Sequence, residues 1–310
     1  MDFIENSKGY ILVFLAAFFW GTLGILVKYM ENKGFAVYDI AFLRSFFGLS
    51  ILSIFIFFRD RKKTVIDKKG FISCSLIGLI NQGFFNIFYF SAIIKTGMTT
   101  GVILLYTAPS FALIFSRILL GDRFTKEKFL AMIMAFTGCF FVVTGGSFSE
   151  VRIDTLGVFM GIAAGATYGI LPVFNKKVFD KYHFLTIMFY SFLSGTITLS
   201  FFADLTRIIE IFKINNFTIF MGVLLGFFPT LVSHLCFLNA TRYIEAFKIS
   251  ITANFEVIIV AVTAYLIYGE KLSKTKFLGM VLVMGATVIP QILNKIKVHS
   301  DMHITNKNKH

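Results

Sequence analysis

Apolar runs of bilayer-crossing length recur along almost the whole of this 310-residue chain. They fall near 10–30, 37–58, 71–94, 99–119, 128–146, 156–175, 184–204, 217–238, 247–267 and 276–294. A hydrocarbon core of ~30 Å takes about 20 apolar residues as a helix. In lipid every backbone N–H and C=O needs a partner within the protein, and a helix satisfies them alone. The runs are too long and too evenly apolar for strands. The expected fold is therefore an all-α integral membrane protein with ten transmembrane helices. Composition agrees: 56% of residues are hydrophobic and only 15% are charged. Soluble chains carry about 25% charged residues, so polar surface here is too scarce to cover a water-exposed body.

The net charge of +13 raises nucleic acid as a partner. The basic residues, however, lie between the apolar runs and no nucleic-acid motif accompanies them, so nucleic acid is excluded and the charge is read as topology. If the loop holding Arg59, Arg61, Lys62, Lys63, Lys68 and Lys69 is cytoplasmic, strict alternation puts 20 of the 30 Lys and Arg inside and 9 outside. Arg44 falls within a span. Both termini are then cytoplasmic and the chain is a multi-pass protein of the plasma membrane. The N-terminus carries Asp2 and Glu5 and lacks a basic leader, so the first run is expected to stay as a span. Cys74, Cys139 and Cys236 lie in apolar segments without a pairing pattern and read as small buried hydrophobes.

The two halves repeat. Gly121-Asp122-Arg123-Phe124-Thr125 aligns with Gly269-Glu270-Lys271-Leu272-Ser273 at an offset of 148 residues. The same offset aligns Lys128-Phe129-Leu130 with Lys276-Phe277-Leu278, Phe88 to Ala92 with Cys236 to Ala240, and Trp20-Gly21 with Tyr168-Gly169. The organisation expected is a cytoplasmic N-terminus (1–9), a five-helix repeat (10–146), a linker (147–155), a second five-helix repeat (156–294) and a basic cytoplasmic tail (295–310). Five is odd, so the second half enters the membrane from the opposite side. Such inverted repeats place a substrate site near the midplane between the halves and let an inward-open cavity become outward-open.

Arg44 in Phe42-Leu43-Arg44-Ser45-Phe46, Pro109 followed by Leu120-Gly121-Asp122-Arg123, and Glu256 followed by Tyr268-Gly269-Glu270-Lys271-Leu272 together resemble the EamA domain of the drug/metabolite transporter superfamily. The resemblance covers almost the whole chain as two EamA-like halves. It implies secondary transport of amino acids, amines, sugars or related metabolites, often as export. Departures are Val257 after Glu256, where the family often has proline, Asp122 in place of the first Gly-Glu acid, and Phe192 at the position paired with Arg44.

Glu256 is the foremost site residue. A carboxylate at mid-span costs ~2.5–3.5 kcal/mol on insertion scales, so it is expected to face a cavity or a partner. Straight-helix spacing puts Thr252, Glu256 and Thr263 on one face. It either binds a substrate ammonium, takes up a proton, or makes a structural hydrogen bond. Arg44, ~10 Å from its span's outer end, either attracts an anion, snorkels, or pairs with Asp39. Gln82, Asn86 and Tyr89 share a face, as do Thr230, His234 and Phe237 at the repeat offset; cavity wall and interhelical hydrogen bonding are both open. Trp20, Tyr106 and Tyr168 are candidates to stack on a cation or an aromatic solute. Asn254 completes the set beside Glu256. Pro109, Pro172 and Pro229 are places where a helix can loosen. Asp122 and Glu270 are expected to anchor loop turns or cap the next helices. The tail with Lys295, Lys297, Lys307, Lys309, His299, His303 and His310 reads as a solvated surface against anionic lipid, with no metal site.

These features converge on a carrier of a small polar or amphipathic metabolite working by alternating access. The partners expected are a small-molecule substrate, the lipid bilayer and, as one coupling option, protons. No cofactor is called for, and no Walker motif supplies ATP. A membrane-embedded enzyme would need a clustered catalytic set, and only Glu256 and His234 qualify. A non-transporting membrane subunit would not need a polar stripe in both halves.

Overall fold

The computed structural model describes residues 2–59, 61–149 and 151–289. The basic tail discussed above lies outside them. Every regular element among the described residues is helical. They are α1 (Asp2–Asn32), α2 (Val37–Arg59), α3 (Lys68–Thr96), α4 (Met98–Leu120), α5 (Lys126–Thr144), α6 (Thr155–Phe179), α7 (Phe184–Ser200), α8 (Leu205–Ile214), α9 (Phe217–Ala240), α10 (Ala246–Tyr268) and α11 (274–289). Eight of them are long and apolar enough to cross a membrane, or nine counting α7 with α8. The tenth expected span, 276–294, is described only as far as 289.

Helix ends follow local chemistry. Asp67, Asp154 and Asp204 each accept a hydrogen bond from the backbone N–H three residues on, which opens α3, α6 and α8. Gly121 and Gly269, at φ +75° and +68°, stop α4 and α10 in a left-handed conformation that other residues resist. The next helices are capped by Thr125 and Ser273, not by Asp122 and Glu270. A hydroxyl three residues from the backbone N–H reaches it better than the acids at the turn. Glu270 instead pairs with Lys276 at 3.3 Å, and Asp122 offers its backbone carbonyl to Arg117.

The seventh helix corrects the sequence reading. The expected run 184–204 ends at Ser200, and the chain turns by 97° into the short helix α8. Buried Asp39 explains the turn. Its carboxylate accepts from the backbone of Asp204 at 2.8 Å and pairs with Arg207 at 3.2 Å, holding the start of α8 against α2. Asp39 is thereby taken, so it does not serve Arg44.

The 148-residue offset reappears in backbone geometry. A π-helical turn interrupts α3 at Leu79–Phe84 and another interrupts α9 at Phe227–Val232. α4 breaks at Tyr106-Thr107 and α10 at Asn254-Phe255. Pro109 stands at the start of the second part of α4, Pro229 lies in the π-turn of α9, and Pro172 sits inside α6 without breaking it. The break in α10 separates Thr252 from Glu256, so the straight-helix face that joins them in the sequence reading does not carry across.

Packing is crossed. α1 lies on α9 and α10, whereas α6 lies on α3 and α4; α3 packs on α7, α9 on α2, and α2 on α7. Between helices in lipid, close packing rather than water exclusion supplies the attraction. Gly78 and Gly226 show it. A methyl group at Gly78 would run into the Ser191 carbonyl of α7, and one at Gly226 would meet the Gly48 backbone of α2 at 2.8 Å.

Contacts between connecting segments sort into two ends of the bundle. At one end Tyr182 donates to Asp67, Tyr190 to the Thr64 carbonyl, and Lys128 pairs with Glu245 at 3.0 Å. At the other, Arg152 bonds Thr100, Arg207 pairs with Asp39, and Lys28 stands 3.9 Å over the Tyr268 ring. The Tyr182 hydroxyl holds the Asp67 carboxyl below its usual range. Burial pushes Glu245 up, but Lys248 and Lys128 outweigh it and leave its carboxyl lowered.

Candidate functional site

Gln82, in the π-turn of α3, meets His234, which stands just after the π-turn of α9. A π-turn carries one residue more than the helix needs, which shifts side chains around the axis and frees carbonyls from the regular ladder. His234 Nδ1 lies 2.7 Å from the Thr230 carbonyl, and Gln82 Nε2 lies 2.8 Å from His234 Nε2. A carbonyl only accepts, so Nδ1 carries the proton, and Nε2 accepts from the Gln82 amide. In the other half Asn86 Nδ2 donates to the Gln82 carbonyl at 2.6 Å. Asn86 and His234 are offset partners, and each bonds the carbonyl four residues before it.

Aromatic rings surround this pair. Trp20 of α1 stands edge-on to Tyr168 of α6 at 5.9 Å and to His234 at 5.5 Å. Phe237 lies 5.2 Å from Trp20, and Phe85 stacks on both Tyr168 and Tyr89. Trp20 and Tyr168 are offset partners that touch each other, so they sit where the two halves meet. A narrow pocket beside them runs between Asn81, Gln82, Asn175, Ser191, Phe192 and His234.

Charge enters from two elements. Glu256 opens the second part of α10, just after the break. It is only part-buried. Arg44 is buried in α2, and its Nε has no hydrogen-bond partner. No ion pair joins Arg44 to Glu256 among the described residues. Asn86 Oδ1 and Asn254 Nδ2 are likewise buried and unpartnered. Unmet buried polar atoms cost about 1–3 kcal/mol each.

The structure thus brings Trp20, Gln82, Tyr168 and His234 into direct contact and sets Asn86 one turn beyond Gln82. Tyr106 and Asn254 stand at the two helix breaks and Glu256 just after the second, while no hydrogen bond or ion pair among the described residues joins Arg44 to this group. The sequence reading does not mark Phe85 or the π-turns, and it meets Phe192 only as the offset partner of Arg44. Phe85 follows Gln82 by three and precedes Tyr89 by four, a helical spacing that could have marked it, but 41 phenylalanines drown that signal. Among the described residues no three His, Cys, Asp or Glu side chains converge as a metal site. The three cysteines are free, with Cys74 and Cys139 buried.

The chain is similar to an S-adenosylmethionine uptake transporter of Rickettsia bellii, 24% identical over 85% of this chain and 86% of that protein. It is also similar to a pseudopaline exporter of Pseudomonas aeruginosa, 24% identical over 59% of this chain and 62% of the other. A solved crystal structure superposes with a TM-score of 0.76 at 14% identity, covering 93% of this chain and 98% of that one, which shows a shared fold. The model of the EamA-like transporter family matches residues 7–144 and again 155–289. Two matches that together span nearly all the chain settle its kinship: it belongs to the EamA-like transporter family.

Proposed function

We propose that this protein is a secondary carrier that exports a small metabolite, an amino acid, an amine or a related compound, by alternating access. The observation that carries the reading is the central cluster. Trp20 and Tyr168, offset partners from the two halves, meet edge-on beside the Gln82–His234 pair, and Arg44 Nε, Asn86 Oδ1 and Asn254 Nδ2 are buried without partners. A packed structural core would satisfy those atoms or omit them. Similar proteins are named as carriers of small molecules, in both directions.

The alternation itself rests on ten crossings arranged as two inverted five-helix repeats. The paired π-turns, the paired helix breaks and the crossed packing of α1 and α6 support that arrangement. So does the sorting of loop contacts into two ends, each with the segments that strict alternation puts on one side. The lysine-rich end is the cytoplasmic one, in the plasma membrane. The interface between halves that repack alike in either direction is what such a carrier needs. Glu256 binds the substrate's cation or exchanges it for a proton, and Arg44, Asn86, Asn254, Tyr106, Tyr168, Trp20, Gln82 and His234 form the cavity.

Proteoliposomes loaded with amino acids, polyamines, aromatic amines and small organic acids, followed by mass spectrometry of the efflux, test the reading. Selective efflux of one class is expected. Retention of every class by folded protein, with and without a pH gradient, contradicts it.

A further inference from the structure

The loop from α2 to α3 gathers Arg59, Arg61, Lys62, Lys63, Lys68 and Lys69 against only Asp60 and Asp67. All of these cations but Lys63 are exposed, and Lys63 is half-buried. The backbone beneath them is fixed. Arg61–Thr64 forms a short 3-10 helix. Tyr190 of α7 donates to the Thr64 carbonyl at 2.7 Å, Thr186 to the Lys63 carbonyl, and Tyr182 to the Asp67 carboxylate at 2.8 Å. Three of the loop's acceptors are thereby taken by the second half of the chain. The two helices that flank the loop are apolar and open on one side right up to it. Phe55, Phe57 and Phe58 are exposed on α2, and Phe71 and Ile72 on α3. On membrane-spanning helices such faces meet acyl chains, so the loop stands where the hydrocarbon ends. The Arg61 guanidinium lies 3.6 Å over the Phe57 ring, and its Nε donates to the Phe57 carbonyl at 3.3 Å. The Arg59 guanidinium lies 5.8 Å over the Phe55 ring. Both arginines therefore lie along lipid-facing rings, with stems in the apolar layer and heads at its edge.

We infer that this loop is a docking surface for anionic phospholipid, with Arg59 and Arg61 holding headgroup phosphates at the end of α2 and the lysines supplying the field around them. The inference goes beyond the carrier reading and does not depend on it; it needs only that the apolar faces of α2 and α3 lie in a bilayer. The physical reason is complementarity of two kinds at one place. A guanidinium is a planar fork that matches two phosphate oxygens, and a ring beneath it holds that plane through its face rather than its N–H edge. Runs of roughly four to eight Lys and Arg just beyond a membrane-spanning helix attract anionic lipid, with about a fivefold gain in affinity for each one near the surface. A soluble anion would meet the cations but leave the exposed phenylalanines unanswered. A phospholipid meets both, with its phosphate on the arginines and its acyl chains along Phe55, Phe57 and Phe58.

The test reads lipid identity beside the loop. In the full chain freed of its three cysteines, Val65→Cys, at an exposed place in the loop, carries a fluorophore, and Lys213→Cys carries it at the other end of the bundle. Each protein is placed in nanodiscs that mix phosphatidylcholine and phosphatidylglycerol, with a quencher near the headgroup of one lipid or the other. Phosphatidylglycerol is expected to quench at least about fivefold more per lipid than phosphatidylcholine at position 65, the effect of one basic charge at the surface, and no more than phosphatidylcholine at position 213. Salt at ~1 M should erase the difference. Arg59→Gln with Arg61→Gln should remove most of it. Arg59→Lys with Arg61→Lys should keep it, which guards against a misfolded glutamine variant. Equal quenching by the two lipids at position 65 overturns the proposal, as does a difference that survives in the glutamine variant. The same excess at both positions would mean a general attraction of the bilayer and overturns it too. Loss of the difference in millimolar inorganic phosphate at constant ionic strength would mark a free-anion site in place of a lipid surface. None of these readouts requires solute movement, so their failure leaves the carrier reading standing.

Discussion

At the residue scale, the structure distinguishes charges that hold the fold from charges left for something else. Asp39, Glu245 and Glu270 all have cationic partners, and they sit at the ends of the bundle. Arg44 and Glu256 lie deeper and have none among the described residues. Glu245 makes a pH prediction. Its folded carboxyl is lowered, with burial opposed and outweighed by Lys248 and Lys128. Its contribution is therefore present above the unfolded carboxylate range, near pH 4.3, and is lost as pH falls through the lower folded value. Thermal unfolding in detergent, followed by intrinsic fluorescence, should show a plateau at neutral pH and a decline below that range. Glu245→Gln should begin lower at neutral pH and decline less. The gap between the two should also narrow at ~1 M salt, since the site is partly exposed.

Among elements, what the sequence made legible was whatever depends on hydrophobic length. Eight of the expected spans coincide with helices long and apolar enough to cross a membrane, or nine counting α7 with α8. The bends were not legible. α7 stops short because Asp39, 165 residues before Asp204 in sequence, captures the turn. No window of local hydropathy contains that contact. The π-turns escape for the same reason, since Leu79–Phe84 and Phe227–Val232 differ at every position. What they share is the glycine just before each turn, where two helices come together. Gly78→Leu should push α3 from α7 and cost about 1–3 kcal/mol or more by overpacking. The expected result is a lower thermal midpoint and poor yield from the membrane. Gly121→Ala, at a left-handed cap with open space around it, should cost only about 1 kcal/mol.

For the whole molecule, π-turns and helix breaks recur at one offset of 148 residues, while Arg44 and Glu256 have no charged counterpart at that offset. Trp20 faces Tyr168 and Asn86 answers His234 across the halves, so the candidate site was partly readable from the offset alone. Which atoms there lack partners was not, because satisfaction depends on neighbours from α2, α3 and α10 together. Single cysteines read the sidedness of the proposed topology. In a background without Cys74, Cys139 and Cys236, Lys63→Cys should react with an impermeant thiol reagent only from the cytoplasmic face of right-side-out and inverted vesicles. Lys213→Cys should react only from the other. Labelling of both from one face would break the alternation that the inverted arrangement needs.

The central claim is that solute passes through the middle of this molecule past Glu256. The most direct measurement is the efflux time course from loaded proteoliposomes containing the wild-type chain or Glu256→Gln, with both shown to be folded by thermal unfolding. The account predicts selective efflux with the wild type and its loss in the variant. Efflux that is the same in both, at every pH tried, would contradict it.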